Sequence, residues 1–401
     1  MRILLLCNKS PWPPKDGGSA ATLNIIKGLS TRNISVSVLT INTSKHFVKA
    51  DEIHDELLKS IDYKSINVNT GINPFKLLLN LVFSRRPYNY ERFWSGKYNS
   101  ELKSIIRKNF DIIQIEGLSM YHYLYTIRQN TSAVVVFRPH NIENLIWASL
   151  ADEEKNFLRR LYFRILAKRI KKLEKNIINR FDGLIAISNS DMKWFKAAGL
   201  SIPAAVVSQG FRPEEIMEYS DVPSNKVCFI GALDWLPNIS GLNWFIEQVW
   251  PQVINKVPDA EFFVAGRNAS EKTISGIKGP GIIFCGEVES SSLFIKDKTV
   301  MVVPLFSGSG IRIKIIEGMI HGKCIVATPV AVEGLNYEDK TDILIESNPF
   351  AFSSEIVKLL NIPDLRRKIG ENAIKNVRKN CNIFVSSENL MNFYRELLHD
   401  N

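Results

Sequence analysis

The stretch that most restricts how this chain can fold runs from Thr299 to Gly322. An apolar run, Thr299 to Pro304, is followed by Ser307-Gly308-Ser309-Gly310 and then by Ile311 to His321, closed by Gly322. That order reads as a buried strand, a small-residue loop and a helix whose end a glycine can cap. Small residues let an anion approach the backbone, and the first helical turn offers unpaired N–H groups at the positive end of the helix dipole. Arg312 and Lys314 add full charges at the same end. On helical spacing Gly310, Lys314, Glu317 and His321 share one stripe, and Ile311, Ile315 and Met319 share another. A carboxylate on the cation's face, one turn beyond a diphosphate site, suits the vicinal hydroxyls of a nucleotide ribose. The plainer reading, an ion pair between Glu317 and Lys314 beside an ordinary turn, weighs about equally on this stretch alone.

The chain of 401 residues is too long for one typical core and suggests two or three domains. With 45% hydrophobic and 23% charged residues it belongs with globular proteins, not with disordered or fibrous ones. No run of about 18 apolar residues is present, and Met1 to Cys7 lacks the long apolar region and cleavage site of a leader, so the expectation is a cytoplasmic protein. Cys7, Cys228, Cys285, Cys324 and Cys381 are odd in number and widely spaced, as reduced core residues are, and no C-x-x-C or other metal-ligand spacing occurs. No cofactor and no metal are expected. The net charge of +10 is unevenly spread: residues 1–220 hold 32 Lys and Arg against 20 Asp and Glu, whereas residues 221–401 hold 19 against 21. Such asymmetry points to an anionic partner for the first half.

In that half, Arg2 to Leu6 reads as a buried strand, and Pro11 to Gly18 as a loop at its carboxyl end. A helix from Ser19 and a strand from Val36 complete a βαβ unit, which makes Asp16, Gly17 and Gly18 candidate ligand neighbours. No G-x-G-x-x-G follows the first strand. Strands Asp111 to Ile115 and Ala133 to Phe137 end in Glu116 and in Arg138-Pro139-His140, polar residues where such sheets bind ligands. Phe75 to Phe83 is apolar and is followed by Arg85 and Arg86; the commoner reading, a helix half buried in the domain, is preferred to a membrane-docking one. Asp152 to Arg180 reads as one long helix with ten basic residues, its sector Arg160, Arg164, Lys168, Lys171 and Lys175 lying opposite a stripe through Leu158, Tyr162, Leu166, Leu173 and Ile177. Anionic membrane is the functional reading of that cationic face, solvated surface the plain one, and no nucleic-acid module accompanies it.

A polar, Pro-containing stretch near residue 220 marks a boundary, after which a second strand–helix alternation begins at Val227. The expected organisation is residues 1–218, residues 219–380, and a last helix in residues 381–401 that packs back toward the first domain.

These residues resemble the family-4 retaining glycosyltransferases over essentially the whole chain. The resemblance rests on Gly17-Gly18, on His140 at its strand end and, most specifically, on the block from Pro304 through Glu317 to Thr328 and on to Glu333-Gly334-Leu335. It implies an α/β fold of two Rossmann-like domains with parallel sheets facing a central cleft (GT-B), the donor nucleotide-sugar held by the second domain and the acceptor by the first. Glu317 matches the second glutamate of the family's paired motif, which holds the ribose. Eight residues earlier, where the first glutamate is expected, stands Ser309. Many members carry an Arg and a Lys after the first strand of the second domain; the loop from Gly231 to Asn238 has no cation, and Arg312 and Lys314 are the natural replacements.

The resemblance therefore implies Arg312, Lys314 and His140 as catalytic, with Glu317, Ser309, Gly308, Gly310, Gly17, Gly18 and Gly231 around the donor. Asp16, Glu116 and Arg138 lie on the acceptor side by strand-end position. The expected activity is retaining transfer from a nucleotide-sugar to an acceptor hydroxyl, by a front-face route in which the leaving phosphate takes the proton. The basic first half suggests a lipid-linked or oligosaccharide acceptor, peripheral contact with anionic membrane at the inner face, and a place in polysaccharide or lipopolysaccharide assembly. A nucleotide-sugar epimerase of the same architecture and a non-catalytic carbohydrate-binding protein are the rival readings.

Overall fold

Strands buried on both faces need near-continuous apolar runs, and Ile3-Leu4-Leu5-Leu6, all fully buried, is one of them. In the computed structural model they form two parallel sheets. The structure describes residues 1–399 except 15, 33, 45, 46, 50–52, 54, 209 and 309, together with the side chains of all described residues but 58, 59 and 153. Ser309 therefore lies outside the described residues. The chain divides into one unit of Met1–Gly210 with Ile383–Asn401 and a second of Phe211–Asn382.

The first unit's strands are β1 (Arg2–Cys7), β2 (Ser35–Thr43), β3 (Asp62–Val68), β4 (Ile112–Glu116), β5 (Val134–Arg138), β6 (Gly183–Ala186) and β7 (Ala204–Val206), in the order β3-β2-β1-β4-β5-β6-β7. The order reverses between β1 and β4, the position where open α/β sheets bind ligands beyond their carboxyl ends. Register aligns the chemistry there, pairing Cys7 with Glu116 and Glu116 with Arg138. The helices that matter below are α1 (Gly17–Ser30), α2 (Pro74–Phe83), α3 (Glu143–Glu153) and α4 (Phe157–Ile177).

The second unit carries β8 (Lys226–Ile230), β9 (Glu261–Ala265), β10 (Ile282–Gly286), β11 (Val300–Val303), β12 (Cys324–Ala327) and β13 (Leu344–Ile345), in the order β10-β9-β8-β11-β12-β13. Its order reverses between β8 and β11. Helix α5 (Leu236–Trp244) follows β8 and α6 (Ile313–Ile320) follows β11. A Cβ on Gly241 would lie 1.6 Å from the Pro304 carbonyl oxygen, so only glycine lets α5 pass over the end of β11. Asp221 is gripped by Arg366, whose Nε and Nη2 donate at 2.9 and 3.0 Å, which fastens the stretch before β8 to its own unit.

The last helix, α7 (Ile383–His399), belongs to the first unit. Leu390, Met391, Phe393, Tyr394 and Leu397 enter the core formed by β1, β2 and α1. A Cβ on Gly183 would come within 2.6 Å of Leu397 and one on Gly28 within 2.9 Å of Ser387, so both glycines admit this helix.

Three expectations are corrected. The long helix from Asp152 is two helices, α3 and α4, with Glu154 as the C-cap of the first and Asn156 as the N-cap of the second. Leu158 is exposed, and the buried side of α4 is Leu166, Ala167, Ile170, Glu174 and Ile177. Helix α2 is less covered than expected: none of its residues is buried, and Leu77, Asn80 and Leu81 alone are half-buried. Gly310 precedes α6 instead of sharing its stripe, and His321 caps the helix end with its ring bonded to Ser292 at 2.7 Å.

Candidate active site

In the second unit the candidate site is built where β11 gives way to α6. Gly308 and Gly310 hold φ of 108° and 85°, a region that side chains with a Cβ disfavour. At Gly308 the space is taken as well, since a Cβ would meet Arg312 Nη2 at 3.0 Å and Trp235 at 3.1 Å. The loop thus folds Arg312 inward: the residue is 6% exposed, its Nη1 donates to the Gly310 carbonyl, and its guanidinium sits 5.9 Å from the Trp235 ring centroid. Among the described residues no side chain caps α6, so its first turn keeps the donor character that suits an anion. Ser307 Oγ is buried and has no hydrogen-bond partner among the described residues, a hydroxyl left to whatever ligand approaches the loop.

Lys314, in the first turn, donates from Nζ to Asn238 Oδ1 at 3.0 Å, and Asn238 in turn donates to the Ala232 carbonyl at 2.9 Å. Gly231 makes room for that pair, because a Cβ there would be 2.8 Å from both Lys314 Nζ and Asn238 Nδ2. Burial, reinforced by the Arg312 charge and opposed by Glu317, pushes the ammonium down to about 7. Burial raises the Glu317 carboxyl, against a hydrogen bond from Ser291 and the nearby Lys314. Two cations packed together disfavour one another's charge, and a bound dianion would favour both charged forms.

In the first unit the centre is Glu116, 1% exposed in its side chain, as is Arg138. Its Oε2 accepts from Arg138 Nη1 at 2.8 Å and from Thr22 at 3.2 Å, and meets His140 Nε2 at 2.5 Å. Its Oε1 accepts from Gln114, whose own carbonyl accepts from Tyr394 on α7. Burial alone would raise this carboxyl, but Arg138, His140 and Gln114 together bring it down to about 2, so it stays ionised. Glu116 and Arg138 are sealed in this way, and of the three His140 alone, 12% exposed, reaches the surface. Gly18 makes room for the imidazole, for a Cβ there would sit 3.0 Å from Nδ1. Gly17 opens α1, and Asp16 caps it by accepting from Ser19 N at 3.0 Å while holding Lys9 at 2.6 Å, which commits that carboxylate to local structure.

The structure thus brings Arg312, Lys314, Glu317, Gly308, Gly310 and Gly231 together in one unit, and Glu116, Arg138, His140, Gly17, Gly18 and Asp16 in the other. Sequence reasoning missed Asn238, Trp235, Gln114, Thr22 and Tyr394. Asn238 left a signal, a polar residue in the first turn of the helix that follows the Gly231 loop; Tyr394 stands 280 residues from Gln114 and left none. Among the described residues no three His, Cys, Asp or Glu side chains gather as metal ligands.

Residues 15–215 match the family described as Glycosyltransferase Family 4, and residues 224–361 match the one described as Glycosyl transferases group 1. An uncharacterized 44.6 kDa protein in the cps region of Klebsiella pneumoniae is 22% identical over 94% of this chain and 96% of that protein. The sucrose-phosphate synthase of Thermosynechococcus elongatus superposes with a TM-score of 0.74 at 15% identity over 100% of both chains. HepE of Anabaena, solved in complex with UDP and glucose, superposes with a TM-score of 0.66 at 14% identity over 99% of this chain and 100% of that one. These structural likenesses show the fold, and the family matches together span most of the chain. The protein belongs to glycosyltransferase family 4, a GT-B enzyme made of two successive parallel-sheet units.

Proposed function

We propose that this glycosyltransferase moves a sugar from a nucleotide-sugar to an acceptor hydroxyl with retention at the anomeric carbon. The observation that carries the reading is the cluster of Arg312, Lys314 and the uncapped first turn of α6 around an empty-handed Ser307 hydroxyl, with Glu317 one turn on. In the step, the bond from the anomeric carbon to the diphosphate breaks and one to the acceptor oxygen forms on the same face. The acceptor proton passes to the departing phosphate oxygen, and a nucleoside diphosphate leaves. Negative charge grows on that diphosphate, so groups that bind it more tightly in the transition state accelerate the step. Glu317 holds the ribose hydroxyls, and His140, oriented by Glu116, faces the reacting sugar or the acceptor. The charge at α6 stands in for a metal ion, and activity is expected to survive chelation.

The acceptor is proposed to be a lipid-linked or oligosaccharide intermediate of cell-surface polysaccharide assembly. Support comes from the basic excess of residues 1–220 and from the relative named for its place in a cps region. The test is an incubation of nucleotide-sugars with and without glycan acceptors, followed by NMR of the product's anomeric centre. A product with the donor's configuration, unaffected by EDTA, is expected. Conversion of the nucleotide-sugar without acceptor would favour an epimerase, and an inverted product would overturn the retaining mechanism.

A further inference from the structure

Helix α2 is amphipathic in the wrong sense for a soluble surface. Leu77, Asn80 and Leu81 face the body of the unit and are half-buried, while Phe75, Leu78, Leu79, Val82 and Phe83, spaced as one helical stripe, face solvent. Phe75 is 69% and Phe83 82% exposed, and Ile72, just ahead of the helix, is exposed as well. A soluble helix turns its apolar stripe inward. This one is held outward by fixed contacts: Asn73 caps it and donates from its backbone N–H to Tyr88 Oη at 3.0 Å, and Arg169 of α4 donates to the carbonyls of Asn80 and Leu81 at 3.2 and 2.7 Å. The outward ridge is therefore an ordered feature.

Charge says what covers it. From residue 72 to 86 the chain contains Lys76, Arg85 and Arg86 and no acidic residue. Of these cations Arg86 has a loose ion pair, 3.9 Å from Glu91. The first turns of α4 likewise expose Phe157, Leu158 and Leu161 beside Arg159 and Arg160, with Asp152, Glu153 and Glu154 preceding them in the chain. A ridge of apolar side chains with a cationic rim matches the boundary between acyl chains and anionic headgroups, where the two signals act together. A second copy seated on the same face would bring one cationic rim against another. Among the described residues no helix is long and apolar enough to cross a membrane. We infer that α2 lies in the interface of an anionic bilayer and anchors the first unit to it, with α2 and not the cationic sector of α4 as the principal contact.

This deepens the reading of a membrane-borne acceptor, but binding to bare vesicles involves neither donor nor acceptor, so failure here leaves the transfer reaction standing and failure of transfer leaves this standing. The experiment is co-sedimentation of the full chain with phosphatidylcholine vesicles, with and without about 30 mol% phosphatidylglycerol. The wild-type protein should sediment with the anionic vesicles only. The variant Phe75→Ser/Leu79→Ser/Phe83→Ser, altered only at exposed positions, should keep its melting temperature and lose about tenfold or more in partitioning. The single change Phe83→Asp, milder for folding, should also weaken binding. Replacing Arg160, Arg164, Lys171 and Lys175 by Gln should cost less than the triple change. Wild-type protein that ignores anionic vesicles, or a triple variant that binds as wild type, would overturn the inference. So would a wild-type dimer in sedimentation velocity that the triple change dissolves, since the face would then be an interface between copies.

Discussion

Lys314→Met is expected to lower turnover by on the order of 10²-fold, the scale of losing one preorganised charge at a developing anion, while leaving the melting temperature unchanged or higher. The second half follows from the setting of the ammonium. It is held 5.0 Å from the Phe229 ring centroid, donates to Asn238, and is disfavoured by burial and by Arg312. Removing it relieves a desolvated charge and a like-charge contact at the loss of one hydrogen bond. The same setting makes binding pH-dependent. With the free protein's Lys314 near 7, an incoming diphosphate favours the protonated form, so binding draws a proton and affinity falls as the pH rises above about 7. A nucleotide-sugar is the proper probe, because its diphosphate has no proton of its own to lose there. Titration calorimetry in buffers of different ionisation enthalpy should show proton uptake in the wild type and none in Lys314→Met. Unchanged turnover with an unchanged pH slope would mean that this lysine does not face the phosphates.

Glu116→Gln carries the other large effect. The carboxylate compensates a fully buried guanidinium, and removal of one partner from such a pair typically costs 3–5 kcal/mol, roughly 10 °C in melting temperature for a unit of this size. Activity should fall along with stability, because His140 loses the group that fixes its ring. The pH dependence has a definite sign. The folded carboxyl sits at about 2, below its ordinary 4.5, so the stability it contributes is complete above pH 4.5 and is lost as the pH falls from there toward 2. In Glu116→Gln that part of the acid unfolding should vanish. Melts at pH 7 and across pH 2 to 5 check both parts, and a shift under about 1 kcal/mol at pH 7 would show that the buried cluster does not carry the unit.

How much of this could be read from the chain depended on the distance between cooperating residues. The run from β11 through the glycines to α6 was legible because strand, loop and helix are contiguous, and their residue types each demand the same local structure. The polar ends of β4 and β5 were legible for the same reason, since a parallel sheet aligns strand ends by register. The pairing of Lys314 with Asn238, 76 residues apart, needs the second sheet's strand order, which no local pattern specifies. The edge strands β3 and β7 and the two-residue β13 escaped because edges alternate weakly and short pairs leave no period. Helix α2 was misread for a different reason. An apolar stripe at helical spacing tells that a face wants cover but not what covers it, and here none of its residues is buried by the protein.

The central claim is that the β11–α6 loop and the first turn of α6 form the diphosphate site of a nucleotide-sugar donor. The most direct measurement is the thermal shift of the wild-type protein across a panel of nucleoside diphosphates and nucleotide-sugars. At least one should stabilise the fold, by about 2.7 kcal/mol when present at a hundred times its dissociation constant, and Glu317→Ala should abolish the gain. No shift with any member of the panel at millimolar concentration, or a shift that survives Glu317→Ala undiminished, would contradict it.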